Sequence, residues 1–121
     1  MHYVGIDNPA AGRTAATLMG RFLSGRKGTV GVIAGSLSLR DHAERQFGFH
    51  QILSSEYHDL TALPALEGRD DSERTHLLTA ELLKRQPDLL GIYSAGAGNR
   101  GIAAALEEAG RTRDIVWIAH E

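Results

Sequence analysis

The sequence predicts an α/β fold of three layers, with a mostly parallel five-stranded sheet carrying helices on both faces. Three observations carry this prediction. Short, nearly all-apolar runs such as Thr29–Ala34 and Asp88–Tyr93 suit strands covered on both sides, as parallel strands are. Between them, apolar residues recur at i, i+3, i+4 and i+7, the signature of one helical face. The strand starts are spaced by roughly 25 to 30 residues, the length of a strand–helix unit. Crossovers of that kind are right-handed, which makes the sheet parallel.

The elements follow in order. Tyr3–Ile6 reads as a short strand. Asn8 then offers a cap and Pro9 sits at the first helical position, where its missing N–H costs nothing. Ala15, Leu18, Met19 and Phe22 form the apolar face of that helix, and Gly25 and Gly28 end it. Thr29–Ala34 is the second strand, and Gly35–Leu39 is a loop in which Ser38, with Asp41 three residues on, can cap the next helix. That helix runs to about Ser54, with Ala43, Phe47 and Ile52 as expected core contacts. A weaker strand lies at Leu60–Leu66; Pro64 marks it as an edge or distorted strand. Glu67–Arg69 is a turn, and Asp70 with Glu73 caps a helix whose Leu78, Leu82 and Leu83 face inward until Pro87. Asp88–Tyr93 is a buried strand followed by the glycine-rich loop Ser94–Gly98. Ile102, Ala105, Leu106 and Ala109 form the face of the last helix, Gly110 stops it, and Ile115–Glu121 is the final strand. Ligands of such sheets bind outside the carboxyl ends of the strands, which directs attention to residues 7–8, 35–41, 67–71, 94–99 and 119–121.

Length and composition bound the function. A chain of 121 residues is one domain with room for a real core. Its 42% hydrophobic and 23% charged residues argue against disorder. With 13 basic against 15 acidic residues it lacks the basic excess of a nucleic-acid-binding surface. The absence of cysteine excludes disulfides, thiolate metal sites and thiol catalysis. No apolar run approaches a transmembrane helix, and the N-terminus does not read as a signal peptide. Both ends read as strands, which leads us to expect a piece of something longer. The six histidines show no helical i, i+3 or i+4 pair for a metal, and His120 stands out only for its place at a strand end. No G-x-S-x-G nucleophile elbow is present.

Gly96-Ala97-Gly98-Asn99-Arg100-Gly101 matches G-x-G-x-x-G between a strand and a helix, with Glu121 twenty residues past the last glycine. Locally this is a dinucleotide fingerprint. Against it, such a motif normally lies on the first strand with further strands after it, whereas here three strand–helix units precede it. Polar residues at the end of each strand describe a distributed cleft better than one pyrophosphate cradle. The plainer role for the glycines is a tight turn and close helix–sheet packing.

Several segments taken together resemble one lobe of the ligand-binding core of LacI-type transcriptional regulators, a core shared with type I periplasmic sugar-binding proteins. They are Val4–Arg13, Gly31–Gly35, the Arg45-Gln46-Phe47-Gly48-Phe49 signature, the Gly101–Gly110 helix and Val116–Glu121. The resemblance covers essentially all of the chain and concerns the C-terminal lobe of that core. It implies that Arg45 hydrogen-bonds sugar hydroxyls, a task suited to a planar guanidinium with five donors; the plainer alternative is an exposed arginine paired with Asp41 or Glu44. It places Glu121 where the family has a ligand-contacting aspartate, the alternative being a solvated terminal acid. Many relatives carry an Asn-Asp pair where this chain has Ser94-Ala95-Gly96, so Ser94 is expected to offer a hydroxyl and Asn99 an amide. Arg69 and Asp70 lie on the neighbouring rim, and Asp41 is either a cleft acceptor or the cap partner of Ser38.

The resulting expectation is a non-catalytic effector-sensing lobe without cofactor or metal, binding a sugar or related polar ligand between itself and a partner lobe. The DNA-binding helix-turn-helix implied by the resemblance is not in this chain, in keeping with its acidic balance. A homodimer, a cytoplasmic location and no membrane contact are expected of the full protein. The alternative is the solute-binding protein of a sugar ABC transporter; a dinucleotide-dependent enzyme comes third.

Overall fold

The computed structural model describes residues 7–96 and 98–120, so the strand expected at Tyr3–Ile6, Ala97 and the candidate Glu121 lie outside the described residues. Four helices, α1 (Asn8–Phe22), α2 (Arg40–Glu56), α3 (Ser72–Arg85) and α4 (Asn99–Glu108), alternate with β1 (Gly28–Ala34), β2 (Leu60–Ala62), β3 (Leu66–Glu67), β4 (Leu89–Ser94) and β5 (Val116–Ala119). The sheet runs β2-β1-β4-β5, with β3 also paired to β1, and every pairing is parallel. The expected strand at 60–66 is thus two short pieces flanking Pro64, which has no N–H to give a ladder.

Alternation along the strands divides the core in two. Val30, Val32 and Tyr93 pack with Ala15, Ala16, Met19, Phe49 and Leu53 under α1 and α2. Ile33, Leu89 and Ile92 pack with Leu82, Leu83, Ile102, Ala105 and Leu106 under α3 and α4. Each helix pair closes on glycine. A Cβ at Gly12 of α1 would strike the carbonyl oxygen of Arg45, and one at Gly48 of α2 would strike that of Pro9. Across the sheet, a Cβ at Gly101 would meet the carbonyl oxygen of Ser72 and lie 2.6 Å from the His76 nitrogen.

These contacts rotate two helices away from the expected faces. In α1 the buried arc is Gly12, Ala15, Ala16, Met19 and Gly20, because small residues let α2 approach; Leu18 and Phe22 point outward. In α2, Phe49 and Leu53 are buried while Phe47 is 62% exposed, since residues two apart face opposite sides of a helix. Ala109, expected on the inner face of α4, is exposed. The caps also shift. Asp7, not Asn8, caps α1 by accepting from the Ala10 N–H (3.1 Å), and Pro9 becomes the second helical residue. Leu39 precedes α2 with no side-chain cap, and Ser38 instead pairs with the Ser36 hydroxyl at 2.7 Å. Asp71, not Asp70, caps α3 by accepting from the Glu73 and Arg74 N–H groups.

Candidate functional site

The parallel register brings the carboxyl ends of β1, β3, β4 and β5 to one side of the sheet, where four loop segments meet. The floor there is tightly packed around two glycines. A Cβ on Gly96 would strike the Gly35 nitrogen, and one on Gly35 would strike the Asp70 carboxylate and come within 2.5 Å of the His42 ring. The floor is tied by the Arg69 N–H donating to the Gly35 carbonyl (2.6 Å), the Leu37 N–H to Glu67 Oε1 (2.7 Å) and the Ser36 N–H to His42 Nδ1 (3.1 Å). Arg69 and Asp70 complete the rim in consecutive left-handed conformations, φ 54° and 56°, which side chains rarely adopt without support from their surroundings.

Arg45 enters this end from the second turn of α2. Its Nε donates to Asn8 Oδ1 at 2.9 Å and its Nη1 to the Ala95 carbonyl at 3.4 Å. One guanidinium thereby joins α1, α2 and the end of β4. The pairing with Asp41 or Glu44 considered above does not occur among the described residues: Glu44 lies 3.5 Å from Arg40, and Asp41 is exposed in the first turn of α2. Among the described residues Arg45 is held by two neutral oxygens, and no carboxylate pairs with it.

Beside it, Tyr93 is fully buried and stacks on Phe49 at 4.3 Å between ring centres. Its hydroxyl lies 2.6 Å from Nε2 of half-buried His120. Burial, assisted by the Arg45 charge, holds the His120 imidazole below its ordinary value of 6.5. Burial pushes the Tyr93 phenol well above its ordinary 10.0, and Arg45 offsets part of that rise. Both rings are neutral at physiological pH.

The expected site residues divide accordingly. Arg45 lies at the centre of the polar cluster, Arg69 and Asp70 stand exposed on the rim, and Asn99 opens α4 half-buried. Ser94 corrects the expectation: it is completely buried and its hydroxyl donates to Asn99 Oδ1 (2.8 Å), so it orients Asn99 and presents nothing to a ligand. Sequence reasoning marked residues 7–8 only as a loop to watch and missed the roles of Asn8 and Tyr93. Asn8 beside Pro9 looked like a local cap, and Tyr93 looked like one more apolar strand residue.

The three glycines of the G-x-G-x-x-G run each meet protein. Gly96 lies against Gly35 and Gly101 against α3, while Gly98 (φ +89°) would place a Cβ 2.7 Å from Thr75 Oγ1. Thr75 therefore fills the space that close approach of a pyrophosphate to the second glycine requires. Surface grooves among the described residues lie along α3, α4, the β2–β3 edge and the carboxyl ends of α1 and α2, and none of these is lined by Asn8, Arg45 or His120. No helix among the described residues is long and apolar enough to cross a membrane.

The family profile described as "Periplasmic binding protein domain" matches residues 1–121. The chain belongs to the periplasmic binding protein domain family. Its fold matches one lobe of the type I architecture of that family. A sugar-binding protein of a sugar ABC transporter from Bacillus halodurans superposes with a TM-score of 0.88 at 32% identity, over 93% of this chain and 38% of that one. AraP, an arabinose binding protein from Geobacillus stearothermophilus, gives 0.86 at 30% identity, over 93% and 38%. GanP, a glucose-galactose binding protein from the same organism, gives 0.86 at 25% identity, over 95% and 41%. The chain spans about two fifths of the length of these proteins. No curated protein matches the sequence significantly. In this periplasmic-binding-protein domain the strand ends supply fixed donors and acceptors, with Arg45 at their centre.

Proposed function

We propose that this chain is one lobe of a two-lobed, non-catalytic sugar-binding protein and carries half of the ligand site at the carboxyl edge of its sheet. The observation that carries the reading is the mounting of Arg45. Its guanidinium is fixed at that edge by Asn8 and the Ala95 carbonyl, with no carboxylate among the described residues to neutralise it. A rigid, planar set of donors is what recognition of adjacent sugar hydroxyls needs. Relatives named as arabinose and glucose-galactose binding proteins support a sugar as the ligand class.

Solute capture for an ABC transporter is the better supported role, because the structural relatives reported above include a sugar ABC transporter's binding protein. That role implies a membrane permease as partner and a location outside the cytoplasm. Effector sensing by a LacI-type regulator is the second reading, favoured by the Arg45–Phe49 signature and the order of the matching segments. It implies a cytoplasmic homodimer that reaches DNA through a separate helix-turn-helix domain. The sequence upstream of Met1 in the full gene separates the two: a signal peptide supports transport, a helix-turn-helix supports regulation.

Calorimetry of the full-length protein against a panel of pentoses and hexoses tests the shared claim. One sugar is expected to bind with one-to-one stoichiometry, and Arg45→Ala to weaken it by more than about tenfold with an unchanged circular dichroism spectrum. Unaltered affinity would remove Arg45 from the site.

A further inference from the structure

We propose that Tyr93 is a positioning residue that fixes His120 as its Nδ1–H tautomer, so that His120 offers the ligand a hydrogen-bond donor beside Arg45. This rests on the sugar-site reading and adds to it a donor that the family signature did not single out.

The argument begins with the Tyr93 hydroxyl. Tyr93 has no exposed surface, so its O–H must find an acceptor inside the protein. Among the described residues the one partner of that hydroxyl is His120 Nε2, at 2.6 Å. If Nε2 carried the proton and donated to the phenol oxygen, the buried phenol hydrogen would have no acceptor among the described residues. The favourable arrangement is therefore Tyr93 O–H donating to Nε2. A neutral imidazole that accepts at Nε2 carries its hydrogen at Nδ1. Free histidine prefers the other tautomer, so the choice is imposed by Tyr93. The phenol is in turn immobilised by Phe49, whose ring lies 15° from parallel with it.

His120 Nδ1 makes no hydrogen bond among the described residues, and the ring is half-buried directly after β5. A donor in that position, unpaired among the described residues, is available to a ligand. Burial, assisted by the Arg45 charge, keeps it neutral. Arg45 of α2 is the ionised group whose field reaches the ring, and Tyr93 of β4 is the titratable group in contact with it. The helix α1 also packs against β5, and no charged group of α1 adds to the shift. Arg45, bonded to the Ala95 carbonyl just past β4, and His120, bonded to Tyr93 of β4, thus form a pair of donors suited to the lone pairs of hydroxyl or ring oxygens of a polyol.

The test uses the full-length protein with 15N-labelled histidine. Two-bond 1H–15N correlation without ligand is expected to report the Nδ1–H form of His120 at pH 7.5. In Tyr93→Phe, which keeps the stacked ring and loses only the hydroxyl, the signal is expected to move toward the Nε2–H form. Titration with L-arabinose, D-glucose and D-galactose is expected to shift His120 Nδ1 in the wild type. For the sugar that binds, His120→Phe is expected to weaken affinity roughly tenfold, Tyr93→Phe roughly threefold, and His120→Asn, whose amide puts a donor near the Nδ1 position, less than His120→Phe. An Nε2–H signal in the wild type, or unchanged sugar affinity in both His120→Phe and Tyr93→Phe, would overturn the proposal. Failure of all three sugars to bind the wild type would count against the sugar reading, while the ligand-free tautomer still decides for or against the Tyr93–His120 assignment.

Discussion

Arg45 depends on a residue 37 positions away in sequence, and that distance explains what the sequence revealed about the site and what it did not. The arginine was legible because it stands in a recognisable local string, Arg45–Phe49. Asn8 was not, because beside Pro9 an asparagine has a sufficient local explanation as a cap; only the folded chain shows that Asp7 caps and Asn8 points to Arg45. Ser94 misled for the converse reason, since its position at a strand end says nothing about whether its hydroxyl turns in or out. Asn8→Ala is expected to leave Arg45 mobile and weaken sugar binding roughly threefold to tenfold, a loss of about 1 kcal/mol, as read by calorimetry. The neutral rings beside Arg45 make stability depend on pH in a definite sense. His120 is held below 6.5, so on acidification the unfolded chain takes up a proton before the native state does. This contribution is complete above pH 6.5 and is lost as pH falls from there toward the depressed native value. Tyr93, held above 10.0, acts in the opposite range: above pH 10 the unfolded chain ionises first and stability falls. Thermal melts across pH 4.5–8 are expected to lose a destabilising step on acidification in His120→Phe, with the wild type as reference.

At the scale of elements, the site is built by helix packing. Gly12 stands one turn beyond Asn8, and the close approach it permits to the Arg45 backbone brings the Asn8 amide within reach of the guanidinium. Ordinary propensity says that replacing a mid-helix glycine by alanine stabilises by about 1 kcal/mol. Here the sign is expected to reverse. A methyl group at Gly48 would meet the Pro9 carbonyl, which is backbone and cannot swing aside, so α1 and α2 must separate. Gly48→Ala is expected to destabilise by about 2 kcal/mol in a urea titration and to weaken sugar binding as well, since the Asn8–Arg45 bond lengthens. The periodicity of α1 and α2 gave their existence and extent but not their orientation. A hydrophobic-face rule favours large side chains, whereas the inner arc of α1 consists largely of glycine and alanine chosen for closeness, leaving Phe22 66% exposed.

At the scale of the whole molecule, the order of strands and helices was the most legible property, because alternation and spacing are carried by every unit. The parallel sheet, the glycine-rich loop before α4 and the break at Pro64 all follow from local rules. The assembly of the site was not legible, since its parts come from loops that meet only when β1, β4 and β5 pair. A polar cluster at one edge of a chain about two fifths the length of its relatives leads to one more expectation. This chain expressed alone should bind its sugar at least about a hundredfold more weakly than the full-length protein, because the partner lobe's contacts and its exclusion of water are both missing; equal affinities by calorimetry would contradict the two-lobed reading. The glycine floor has a consequence for how such a lobe acquires new ligands. A side chain at Gly96 would run into the Gly35 backbone, so Gly96 tolerates none while the end of β1 stays in place, whereas one at Gly35 would have to displace the Asp70 carboxylate and the His42 ring. Gly96 is thereby closed to variation, and a change of ligand is expected to come from the rim, at positions such as Arg69 and His120.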